Sequence, residues 1–128
     1  MIETQKYLGE RYKFNGRGGP YDCLGLVLEV LRDNGIDLPG DDGKKITSNW
    51  MNENPERFVE GLGCYFNQID IEDKQPLDVA VFLIGGIPRH AGVIIDNYRI
   101  IHIFDNSTVH ISRISKWKKR LHSIWRVR

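Results

Sequence analysis

The sequence predicts an α+β domain, with N-terminal helices packed on a C-terminal antiparallel sheet of about five or six strands. Two observations carry this. Leu24, Val27, Leu28, Val30 and Leu31 recur at helical spacing directly after the turn signal Gly18-Gly19-Pro20. Beyond Pro76 the pattern changes to apolar runs of strand length at 79–84, 91–96 and 99–104.

Taken in order, residues 2–9 have the pattern of a short amphipathic helix, with Ile2, Tyr7 and Leu8 on one side and Gly9 ending it. The loop 12–19 is glycine-rich, but no Gly-Lys-Ser/Thr follows it and no strand precedes it, so it is not a phosphate cradle. A helix over 23–34 starts behind Asp22, a good N-cap, and stops at Gly35. Residues 40–45 read as a turn, and 46–62 as one or two short helices broken near Pro55, burying Trp50, Met51, Phe58, Val59 and Leu62. Cys64 is expected to open a short strand, 64–69, before the acidic turn 70–74. The three apolar runs follow as a meander, the last two joined by a turn at Asp96-Asn97, and strands at 109–114 and 123–127 complete the sheet.

Composition narrows the function classes. The 128 residues suffice for one domain, 1–128, with a core that needs no staples. A net charge of +1 predicts no nucleic-acid partner, and no apolar run reaches membrane-spanning length. The charge is uneven, because Arg113, Lys116, Lys118, Lys119, Arg120, Arg126 and Arg128 follow one another with no acid between. Such a run is commonly a solvated face and also suits an anionic polymer. Two cysteines form neither a disulfide framework nor a metal-ligand spacing, so no metal or cofactor is expected. The N-terminus has no apolar signal segment, which predicts synthesis in the cytoplasm without a signal peptide.

The chemistry centres on Cys23. At the first turn of a helix, unpaired amides and the positive end of the dipole favour a thiolate, the nucleophilic form. Cys64 has no such surroundings and reads as structural. His90 and His102 fall on adjacent strands of the predicted hairpin, an even number of residues apart and so on one face. A cysteine nucleophile needs that pair: His90 takes the thiol proton and returns it to the leaving amine, and His102 holds the far ring nitrogen. His110 and His122 read as surface residues.

Tyr12, Asp22-Cys23-x-Gly25-Leu26-Val27, Gly35-Ile36-x-Leu38-Pro39, Gln75-Pro76-Leu77-Asp78-Val79-Ala80-Val81-Phe82, His90-Ala91-Gly92-Val93-Ile94-Ile95 and Ile101-His102 follow one another over roughly 5–105. In order and spacing this set resembles the NlpC-type cell-wall cysteine peptidases. The resemblance implies a papain-like fold and a triad of Cys23, His90 and His102 that works without a metal. It further implies Tyr12 beside the nucleophile, the Cys23 amide in the oxyanion hole, and cleavage of peptidoglycan stem peptides, commonly between D-glutamate and the diamino acid. The chain looks most like short members encoded with phage tail genes, which implies a virion- or tail-associated site of action and tail proteins as partners. Two positions depart from the pattern. Leu24 stands where most secreted members carry a small hydroxyl residue, and Leu77 replaces a turn glycine.

Other readings use the same residues. A tail-assembly component would keep the triad and use it little, a transferase would pass the acyl group to another acceptor, and an interbacterial toxin amidase would cut related bonds.

Overall fold

The helix α1, Cys23–Asp33, forms where the apolar spacing puts it and starts behind Asp22, whose Oδ1 accepts the Gly25 N–H at 2.6 Å. The computed structural model describes residues 2–17, 19–39 and 56–128. The expected turn at 40–45 and the helical stretch through Trp50, Met51 and Pro55 lie outside the described residues. Among the described residues a further helix, α2, covers Arg57–Gly63. The strands are β1 (Phe66–Ile69), β2 (Val79–Ile84), β3 (Ile87–Ile94), β4 (Arg99–His102), β5 (His110–Arg113) and β6 (Leu121–Val127). Two 3-10 helices, Ile71–Asp73 and Ile114–Arg120, lie between strands. Among the described residues no helix is long and apolar enough to cross a membrane.

Three sequence expectations change. Residues 5–9 form successive turns instead of a helix. The backbone from Gly9 to Tyr12 is drawn into pairing with 107–109, through bonds such as Gly9 N to Val109 O at 3.1 Å and Tyr12 N to Ser107 O at 3.0 Å. Tyr7 is still buried and bonds the Asp33 carboxylate, whereas Leu8 is exposed. Cys64 caps α2, and the strand begins two residues later at Phe66. The sheet is also more than a meander: its order is β1-β6-β2-β3-β4-β5, so β6 inserts between β1 and β2. Arg126 of β6 fastens this insertion by reaching the buried Asp78 carboxylate at 2.8 and 2.9 Å.

The sheet buries both faces by strict alternation. On one face Val79, Val81, Ala91, Val93, Ile101 and Ile103 meet Leu26, Val27, Val30 and Leu31 of α1. Each of those four helix side chains is fully buried, which stabilises the fold by about 1.5–3 kcal/mol apiece for the larger ones. On the other face Ala80, Phe82, Ile94, Ile100 and Ile124 lie under Trp117, Ile114 and Leu121. Gly25 lets the 13–16 loop close over the start of α1, since a Cβ there would stand 2.0 Å from the Gly16 carbonyl oxygen.

Candidate active site

The N-terminus of α1 delivers Cys23 to the edge of β3. The β3–β4 ladder runs from Ile94↔Ile100 to Gly92↔His102 and ends there. Ile94 bonds Asp78 and Leu77 through its own N–H and C=O. Alternation therefore turns the Ala91 N–H and the Arg89 C=O toward the β4 side, where that strand has already left. Cys23 fills the place. Its thiol donates to the Arg89 carbonyl at 3.7 Å, and the Ala91 N–H favours the charged form of the sulfur. A bulge at this point, between Phe82↔His90 and Leu83↔Pro88, leaves Arg89 outside the β2 pairing.

His90 and His102 project from the face opposite α1, the face of Phe82 and Trp117. His102 stands directly across from Gly92, two residues along β3 from His90, so the two rings meet on a diagonal. His90 Nε2 lies 2.8 Å from His102 Nδ1. His102 Nε2 lies 2.8 Å from Ser112 Oγ, a second diagonal across β4 and β5. Phe104 stacks on His90 with centroids 4.4 Å apart, and Trp117 meets His102 edge-on at 5.5 Å. The strand holding His90 starts earlier than its sequence suggests, because β2 and β3 are joined by Gly85 and Gly86 alone.

Tyr12 bridges to Tyr21 beside the α1 entry. Asp22 caps α1 and pairs with Arg17 at 2.9 Å. Asp105 pairs with Arg89 at 2.6 Å and also acts on Tyr12 and Cys23.

The model of the NlpC/P60 family matches residues 9–126. The chain belongs to the NlpC/P60 family. It is 28% identical over 107 residues to the probable endopeptidase p60 of Listeria seeligeri, covering 83% of this chain and 17% of that protein. It is also 28% identical over 116 residues to Tail tip assembly protein K of Escherichia phage lambda, covering 86% of this chain and 55% of that one. The chain thus spans little more than half of one of these relatives and under a fifth of the other. An NLP/P60 family protein of Staphylococcus aureus, described as similar to lipoprotein, shares the fold with a TM-score of 0.68 at 23% identity, over 96% of this chain and 38% of that one.

Electrostatics correct one expectation for this NlpC/P60 domain. Burial works against the thiolate that the helix N-terminus is expected to favour at Cys23. Burial pushes the thiol up to about 12, the Asp22 charge adds to the rise, and the Ala91 and Leu24 amides only partly oppose it. Burial likewise holds both imidazoles well below the ordinary histidine range, helped by His110 and Arg89 at His90 and by His90 and His110 at His102. Burial, then Asp105, Asp22 and Cys23, pushes the Tyr12 phenol up to about 12. In this NlpC/P60 domain burial thus favours the neutral form of the Cys23 thiol and of both imidazoles.

Several site residues escape a reading of the sequence. Ser112, Arg89, Phe104, Asp105 and Trp117 all touch the histidines or the thiol's surroundings. His110 is half-buried against His102, with centroids 4.3 Å apart, rather than free on the surface. The one usable signal was parity, since Ser112 stands on the same face of β5 as His110. It needs the β4–β5 register, which the irregular 103–109 connection conceals. His122 is exposed, as expected.

Proposed function

We propose that this chain is a single cysteine-peptidase domain, 1–128, that hydrolyses peptidoglycan stem peptides at the D-glutamyl–diamino acid bond. Cys23 is its nucleophile, His90 its base and His102 the orienting group. The observation that carries the reading is the polar line His90–His102–Ser112 in a NlpC/P60 domain, with the Cys23 thiol bonded to the carbonyl of Arg89, the residue before His90. The name of the Listeria relative, an endopeptidase, supports the reaction class, and that of the lambda relative supports association with a phage tail.

The line has one productive direction. For His90 Nδ1 to accept the thiol proton, His90 Nε2–H donates to His102 Nδ1, and His102 Nε2–H donates to Ser112 Oγ. Sγ attacks the peptide carbonyl carbon as its proton passes to His90. The oxyanion meets the Cys23 N–H, one of the first-turn amides that no intrahelical carbonyl can use. Breakdown gives the amine, which leaves with the proton from His90, and a thioester on Cys23. Water, deprotonated by His90, then releases the acid and restores the thiol. Because the resting pair is neutral, thiol deprotonation is coupled to attack instead of preceding it.

The test is digestion of purified peptidoglycan and of a synthetic stem tetrapeptide, read by mass spectrometry. A new amine on the diamino acid, absent with Cys23→Ala, is the expected product. A folded chain that releases none overturns the assignment and favours the tail-assembly reading.

A further inference from the structure

The basic run near the C-terminus does not form one uniform solvated face. Arg126 is taken by Asp78, and Arg128 by Asn67 and the Gly63 carbonyl. Four other cations, Arg113, Lys116, Lys119 and Arg120, converge on a groove of about 970 Å³ between β5 and the 3-10 helix Ile114–Arg120. None of the residues lining it is acidic. Among the described residues Arg113, Lys116 and Lys119 make no ion pair, and Arg120 lies over the Trp117 ring at 5.4 Å. Three like charges held around a concavity repel one another, and that repulsion is relieved by an anion.

The groove is also joined to the reaction centre. Ser112 lines it and bonds His102, and Trp117 lines it and packs edge-on against His102. Its occupant therefore sits next to residues that touch His102, the partner of His90. That is the place for a neighbouring part of the polymer being cut.

Resting on the peptidase reading above, we infer that this groove is a second subsite that binds a carboxylate-bearing peptide segment of the peptidoglycan, with Arg113, Lys116 and Lys119 as the charged contacts and Trp117 as the apolar wall. Arg guanidinium matches a carboxylate in bidentate fashion, and lysines supply mobile point charges. The half-buried indole takes the aliphatic part of the peptide.

The test uses the Cys23→Ala chain, which leaves its ligand intact, and pull-down by purified sacculi. Arg113→Gln/Lys116→Gln/Lys119→Gln in that background is expected to bind about tenfold more weakly. Amidation of the sacculus carboxylates should weaken the parent by a similar factor. Stripping phosphate polymers from the sacculi should leave its binding unchanged. Equal binding by the triple variant overturns the subsite. So does binding that survives amidation and vanishes with the phosphate polymers, which would assign the groove to polymer phosphate. Stem-peptide turnover by the unsubstituted chain is measured alongside. Turnover with unchanged binding removes the groove alone, whereas no turnover with weakened binding removes the peptidase reading and leaves the anion site standing.

Discussion

Gly92 stands directly across from His102, and a Cβ built on it would lie 3.0 Å from the His102 Cβ and 2.9 Å from the Ile101 carbonyl oxygen. The missing side chain leaves His102 free to lean along the diagonal to His90. Gly92→Ala should therefore cost about 1–3 kcal/mol of stability through overpacking. It should also lower turnover beyond what the loss of folded protein explains. Denaturant unfolding and kcat on the stem peptide measure the two effects, and an unchanged kcat would separate the glycine from the histidine geometry.

Ser112 positions His102 without reaching the substrate bond in the proposed reaction. Ser112→Ala removes the acceptor for the His102 Nε2–H and frees the ring to take the wrong tautomer. A fall of about tenfold in kcat is expected, with KM little changed and recovery in Ser112→Thr. A fall in Tm without that recovery would mean the hydroxyl only fills space.

The raised pKa of the half-buried Cys23 predicts an order of labelling. Iodoacetamide at neutral pH should modify the exposed Cys64 before Cys23, whose thiol burial has pushed up to about 12. Mass spectrometry of the two peptides over time reads the order. Fast labelling of Cys23 in mild acid, lost in His90→Ala, would show a preformed thiolate–imidazolium pair instead.

Acid should loosen the fold through the same histidines. The fold holds His90 and His102 neutral, while in the unfolded chain they titrate near 6.5. Their contribution is fully present above about pH 6.5. Below it the unfolded state takes up the extra protons, and stability falls by up to about 1.4 kcal/mol per pH unit for each histidine. Tm measured from about pH 7.5 down to about 4.5 should drop less steeply in His90→Gln/His102→Gln. Parallel slopes would place the acid sensitivity in other groups.

Leu77 sits at φ +76°, the left-handed region, just before β2. A turn glycine would carry no strain there. Leu77→Ala and Leu77→Gly both lose the packing of the partly buried leucine, but only alanine keeps the strained backbone. The glycine variant should be the more stable of the two by about 1 kcal/mol, the reverse of the usual order in regular structure. Chemical denaturation of the pair decides it.

Much of the frame was legible in the sequence because it is local. Asp22 announces a helix start, the 24–31 spacing announces its buried face, and parity around the Asp96 turn sets His90 and His102 on one side. Asp96 Oδ1 indeed closes that turn by accepting the Tyr98 and Arg99 amides, each at 2.9 Å. What stayed hidden depends on distant pairing. Nothing within 121–127 says that β6 will enter between β1 and β2, nor does 2–9 say that it will surrender a helix to residues 107–109. The N-terminal position of Cys23 was legible and the burial that raises its thiol was not, because the dipole is a local property and burial is a tertiary one.

The bond between the Cys23 thiol and the Arg89 carbonyl gives the proposed cycle a structural side effect. If the sulfur is acylated as proposed it has no hydrogen to offer, so for the lifetime of the thioester the Arg89 carbonyl lacks that donor, and a water could take its place. The molecule that satisfies that carbonyl then stands next to the thioester it would hydrolyse. In the proposed cycle, deacylation would then draw its water from a vacancy that acylation itself creates.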